Sequence, residues 1–143
     1  DDAPALILLR EALEGKVCAS VFCGRKIIGG NLSVLYGLQG TPYSLNAIID
    51  QCAESPVLLI EDIGERHYHI DRMLNNLRIS GVLSRLSGVI VGQFTDCDDD
   101  PKMGCTLRET LAHYLCQYDY PVVWDAPYGH EDDNRPIMLS LDN

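Results

Sequence analysis

Helices alternating with strands predict an α/β (α+β) domain, and three observations carry that prediction. Two short, wholly apolar runs, Val57 to Ile60 and Val89 to Val91, have the composition of strands buried on both faces. Between them Ile70, Met73, Leu74 and Leu77 recur at i, i+3, i+4 and i+7, one face of a helix. A capping box, Thr106-Leu107-Arg108-Glu109, then opens a further helix before the apolar triplet Val122-Val123-Trp124.

Taken in order, Ala3 to Glu14 reads as a helix, closed by Gly15 where a left-handed residue is tolerated. Val17 to Phe22 has the pattern of a strand. Lys26 to Ile28 is a short strand that runs into Gly29-Gly30-Asn31. Leu32 to Leu38 forms a compact helix that ends before Gly40-Thr41-Pro42. After the strand at Val57 to Ile60, the helix over Tyr68 to Ser80 stops at Gly81. Gly88 to Phe94 is the second buried strand. Leu107, Leu111 and Leu115 line the helix that Thr106 opens. Val122 to Trp124 is the last clear strand, and Ile137 to Leu141 begins another. No internal repeat, low-complexity linker or second domain interrupts this order.

A chain of 143 residues is one domain's worth, able to bury roughly 70% of its unfolded surface. With 46% apolar and 22% charged residues it is globular. No apolar run approaches the ~20 residues that span a bilayer. A formal charge of −10 argues against nucleic acid and anionic membranes as partners, because neutralising phosphates takes basic patches. Small molecules and peptides remain open as substrates.

Six cysteines, Cys18, Cys23, Cys52, Cys97, Cys105 and Cys116, contain no C-x-x-C pair. They read as reduced, structural thiols, which points to a cytoplasmic setting. Asp1-Asp2 and the short apolar stretch Ala5 to Leu9 do not make a signal peptide. With no initiator Met, the chain is expected to begin inside a longer protein.

Two residues stand out chemically. Glu61 ends the apolar run Val57 to Ile60, and a carboxylate there needs a partner. His130 follows Gly129 in a Pro- and Gly-rich loop that can aim an imidazole. A carboxylate and an imidazole are two thirds of the machinery that activates a serine. No serine of this chain lies in a G-x-S turn, so the nucleophile is expected elsewhere. The plainer alternatives are a strand-end carboxylate facing water and a surface-loop histidine.

Other candidates read structurally. His67 and His69 are taken as surface or helix-start residues, and His113 as a helix residue. Asp96-Cys97-Asp98-Asp99-Asp100 resembles a calcium loop, but Pro101 and Leu107 occupy the glycine and glutamate positions. A solvated acidic loop is expected instead. Gly24 to Gly30 lacks both phosphate-binding patterns. Neither a metal nor a cofactor is called for.

Six motifs fall in one order and spacing: Ile28-Gly29-Gly30-Asn31-Leu32-Ser33, Gly40-Thr41-Pro42, Leu59-Ile60-Glu61-Asp62-Ile63-Gly64-Glu65, Ile70-Asp71-Arg72, Gly92-Gln93-Phe94-Thr95-Asp96-Cys97 and Gly129-His130. Together they closely resemble the C-terminal domain of the LD-carboxypeptidases, or muramoyltetrapeptide carboxypeptidases, of the S66 serine peptidases. The resemblance runs from about Lys26 to the end, which leaves residues 1–25 as a linker helix and lead-in strand.

That resemblance implies a swivelling β/β/α-type fold and a Ser-Glu-His triad divided between two domains. Glu61 matches the glutamate and His130 the histidine. The serine and the oxyanion hole belong to an N-terminal nucleophile domain, absent from these residues, as is a last strand after Asn143. Asn31 and Asp62, in the same motifs, are expected at the substrate. The implied substrate is the murein tetrapeptide, cut before its terminal D-Ala during peptidoglycan recycling, and the implied assembly is a homodimer. The microcin-immunity branch of the family would instead cleave aminoacyl-nucleotides; it needs an aromatic surface for the base, for which Trp124 and the tyrosines are candidates, although core packing is the favoured reading of these residues. A non-catalytic binding or dimerisation module is the third reading.

Overall fold

The computed structural model describes residue 22 and residues 24–126. Their elements are β1 (Ile27–Asn31), α1 (Leu32–Gly37), α2 (Leu45–Asp50), β2 (Val57–Ile63), α3 (His67–Ile79), β3 (Gly88–Thr95), α4 (Leu107–Leu115) and β4 (Val122–Val123). Short 3-10 turns at Leu83–Arg85 and Pro101–Met103 complete them. The strands form one parallel sheet in the order β1-β2-β3-β4, which establishes the α/β class.

Each new strand is added on the same side, so crossovers of one hand fall on one sheet face. The core accordingly joins Ile28, Leu58, Ile60, Val89 and Val91 to Leu32 and Leu35 of α1, Leu74 and Leu77 of α3, and Leu111 and Leu115 of α4. Alternate strand residues, Ile27, Val57, Leu59 and Ile90, are equally buried on the other face. Phe22 packs there against Gly88, where a Cβ would lie 2.2 Å from its ring. Burial on both faces explains why these strands are continuous apolar runs rather than alternating ones.

The strands are longer than their apolar runs. β1 continues through Gly29-Gly30-Asn31 instead of ending at Ile28. Gly29 has φ +117°, and a Cβ on it would come within 2.1 Å of the Leu59 carbonyl oxygen, so glycine permits the close pairing with β2. β2 extends past Ile60 to Ile63, which places Glu61 and Asp62 inside the strand. Between Ile60 and Asp62 the ladder shifts register, with partners Val91 and Phe94 on β3. The extra residue at Gly92-Gln93 is a bulge, and pairing resumes beyond it.

Two helical features differ from expectation. Helix α2 was not predicted. Ser44 caps it by accepting from the Ala47 N–H at 3.2 Å, and Leu45 and Ile49 are its buried residues. His67 opens α3, but it is buried at 1% exposure and is not a surface residue. The capping box on α4 forms as expected, with Thr106 and Glu109 bonded reciprocally. Residues 1–21 and 127–143 hold the first predicted helix, most of the strand before Phe22 and the stretch Ile137 to Leu141, all outside the described residues. Among the described residues no helix is long and apolar enough to cross a membrane.

Candidate active site at the carboxyl edge of the sheet

In an open parallel sheet, loops leaving the carboxyl ends of the strands gather at one edge, where such folds place their chemistry. Here that edge brings together Asn31 from β1, Glu61 and Asp62 from β2, Ser33 from the first turn of α1, and Glu65 ahead of α3. Cys97, just after β3, joins them.

Glu61 lies opposite Asn31 in the strand register and is only 6% exposed. Burial raises its pKa from 4.5 to about 7, with the neighbouring Asp62 charge pushing the same way and the Asn31 side chain opposing both. The ion pairs of the described residues are Arg25–Glu54, His69–Glu65, Arg85–Asp50 and Arg108–Asp125, so none of them serves Glu61. A buried carboxyl group in this state is well suited to an imidazole partner.

Asp62 projects to the helix side of the sheet and is 1% exposed. Its Oδ2 accepts from the Ser33 N–H at 2.9 Å and the Ser33 hydroxyl at 2.5 Å. Its Oδ1 accepts from the Ile63 N–H at 2.8 Å and the Asn31 amide at 3.3 Å. Asn31 also caps α1, its Oδ1 accepting from the Val34 N–H at 3.1 Å. Asn31 and Asp62, both expected at the substrate, thus direct these polar atoms into the scaffold around Glu61.

A chain of polar contacts runs outward from this pair. Ser33 Oγ is 3.0 Å from Glu65 Oε1, and Glu65 Oε2 is 3.2 Å from His69 Nδ1. The composition suggests a Ser-His-acid triad, but the order is wrong. The carboxylate stands between hydroxyl and imidazole, so among the described residues no imidazole is positioned to take the Ser33 proton. Ser33 is therefore a brace and not a nucleophile. The i, i+4 spacing of Glu65 and His69 was the sequence signal for the outer half of this chain.

Cys97 sits against the Gly64 and Glu65 backbone. Burial pushes its thiol pKa up, the Glu65 backbone lowers it, and the Asp62 and Glu65 charges raise it again. Its Sγ donates to the Thr95 carbonyl at 3.3 Å. The ionisable side chains gathered at this edge are therefore acidic ones, apart from His69. Cys52, Cys97, Cys105 and Cys116 are all free. Cys18, Cys23 and His130 lie outside the described residues.

The loop after β3 is tied down rather than loose. Asp99 Oδ1 accepts the Leu107 N–H at the start of α4 at 2.6 Å, and Asp100 Oδ1 accepts the Lys102 N–H at 3.0 Å. His67 Nδ1 accepts the Asp100 N–H at 3.1 Å, so in the neutral ring Nε2 carries the proton. That nitrogen donates to Thr110 Oγ1 of α4 at 2.8 Å. One imidazole thus joins α3, the acidic loop and α4. Replacing it in His67→Ala should cost about 2 kcal/mol, because the buried Thr110 hydroxyl and the part-buried Asp100 N–H both lose their bonds. Urea denaturation of the variant checks this.

Trp124 and the tyrosines are placed differently from one another. Trp124 lies just after β4, with the Arg108 guanidinium 4.2 Å from its ring centroid. Tyr118 and Tyr120 stack on each other with centroids 5.2 Å apart. They line a shallow concavity with Ser87 and Pro121, in the loops that enter β3 and β4, away from Glu61. His113 is an exposed residue of α4, edge-on to Tyr114.

The LD-carboxypeptidase C-terminal domain family matches residues 25–142. A murein tetrapeptide carboxypeptidase of Pseudomonas aeruginosa is 31% identical over 109 residues, 76% of this chain and 34% of that protein. The microcin C7 self-immunity protein MccF of Escherichia coli is 25% identical over 142 residues, 94% of this chain and 39% of its own length. The crystal structure of a muramoyltetrapeptide carboxypeptidase from Oxalobacter formigenes superposes with a TM-score of 0.61 at 29% identity, covering 75% of this chain and 36% of that one. The chain spans about a third of the length of the curated relatives it matches.

Proposed function

The chain belongs to the LD-carboxypeptidase C-terminal domain family, and from that premise we propose that it supplies the Glu and His of a Ser-Glu-His triad. The serine and oxyanion hole come from an N-terminal nucleophile domain of the same protein. The observation that carries this reading is Glu61 itself, a buried carboxyl group at the carboxyl edge whose pKa stands near 7. His130 takes the serine proton as general base and returns it to the leaving amine as general acid. Glu61 holds the imidazole in the productive tautomer and stabilises the imidazolium. Closure between the domains sets the hydrogen bond of about 2.6–3.2 Å from serine to base.

The substrate in this reading is the murein tetrapeptide, which loses its terminal D-Ala, and the enzyme works as a cytoplasmic homodimer on recycled wall fragments. The similarity to MccF favours a second reading, in which the same triad cleaves an aminoacyl-nucleotide. Against it stands Trp124, which packs half-buried against the core with the Arg108 guanidinium over its ring. Incubating the full-length protein with each substrate separates the two. D-Ala release from the tetrapeptide, with little turnover of an aminoacyl sulfamoyl adenosine, is the expected result. The reverse preference would establish the second reading, and no turnover of either would leave a non-catalytic module.

A further inference from the structure

Two adjacent carboxylates on β2 point to opposite faces of the strand and meet different surroundings. Glu61 has neither a cation nor a tight hydrogen-bond cage among the described residues. Asp62, its neighbour, is held by four neutral donors: the Asn31 amide, the Ser33 N–H, the Ser33 hydroxyl and the Ile63 N–H. These donors come from the end of β1, the first turn of α1 and β2 itself. Asp62 therefore clamps three pieces of chain at the point where β2 resumes pairing after the bulge. That clamp adjoins Glu61, whose backbone also pairs with Asn31 of β1.

We propose that Asp62, braced by Ser33 and Asn31, is the positioning residue of the triad, fixing Glu61 in place. It does not touch the substrate, because its carboxylate is buried and engaged on the helix side of the sheet. This rests on the triad reading above and adds a role for the second carboxylate. The ionisable groups that face the pair are Glu65 from the loop before α3 and Cys97 beyond β3, with His69 of α3 paired to Glu65. Among the described residues no Lys or Arg side chain forms an ion pair with Asp62.

The test is Asp62→Asn in the full-length protein, followed by kcat, KM and the pH dependence of kcat/KM. The expected result is a fall in kcat of about tenfold to a hundredfold with KM within about twofold, since displacement of a reacting group by a fraction of an ångström has this effect. The acid limb of the profile should also move down by about half a pH unit or more. Removing a like charge eases ionisation of Glu61, and removing a negative charge eases deprotonation of an imidazolium beside it, so both shifts have the same sign. A purely structural role would lower thermal stability without moving that limb.

Unchanged kcat and an unmoved limb in a folded Asp62→Asn protein would overturn the proposal. So would a raised KM at constant kcat, which would mean that Asp62 binds substrate. If Asp62→Asn does not fold, Ser33→Ala decides, since it removes one hydroxyl donor and leaves the backbone bond. A several-fold lower kcat at constant KM, with the limb shifted, supports the brace, and wild-type kinetics rejects it. Glu61→Gln serves as the control on the underlying reading. Full activity in that variant would defeat the triad, whereas its inactivity beside a wild-type-like Asp62→Asn would defeat the brace alone.

Discussion

Glu61→Gln in the full-length protein should lower kcat by about 10⁴-fold while leaving the fold intact. The amide matches the carboxylate in shape and fills the same buried position, so packing is not the cause of the loss. The expected failure is electronic: a glutamine can stabilise the wrong imidazole tautomer and offers no charge to the imidazolium. His130→Ala should be comparably severe, and the double variant little worse than either single one, because members of such a unit act far from additively. Steady-state kinetics on the tetrapeptide measures all three. Losses that multiply in the double variant would show that the two residues act independently, and the shared-triad reading would fail.

How much of this was legible in the sequence depends on which physical signal each element carries. The buried strands announced themselves as apolar runs, and α3 and α4 as a helical stripe and a capping box. The ends of the strands did not. Glu61 and Asp62 belong to β2 because the Gly92-Gln93 bulge lets pairing continue beyond Ile60, and a bulge has no hydrophobic pattern. The sequence marks a strand over Lys26 to Ile28 that runs into Gly29-Gly30-Asn31, yet Gly29 lies within β1 because its missing Cβ admits the Leu59 carbonyl. Helix α2 carried a local signal, Ser44 ahead of Leu45 and Ile49, but six residues are too few for periodicity to stand out.

The site shows the same division. Glu61 could be singled out because a carboxylate closes an apolar run, and that inference uses only neighbours in sequence. The Ser33–Asp62–Glu65 contacts and the His67–Thr110 bond join residues from different elements, and no spacing rule connects them. His67, read as a surface or helix-start residue, does open α3, but its burial was not legible for this reason. Its burial comes from Asp100 and Thr110, which only the tertiary fold brings to its two ring nitrogens.

The acidity of Glu61 also makes a stability prediction that needs no substrate. Its folded-state pKa of about 7 exceeds its ordinary value of 4.5, so across that interval the native state binds more protons than the unfolded state. Stability must then fall as pH rises, with the full contribution present below pH 4.5 and lost on passing through 7. The shift corresponds to about 3 kcal/mol. In a His130→Ala background, Glu61→Gln should therefore match its parent near pH 4.5 and exceed it by about 3 kcal/mol at pH 8. Urea denaturation across this range reads the difference directly. Restoring His130 provides the sharper comparison. An imidazolium that reaches Glu61 favours the carboxylate, lowers its pKa and flattens the slope. Equal slopes with and without His130 would mean that the two side chains do not pair, whatever the kinetics of the full-length protein.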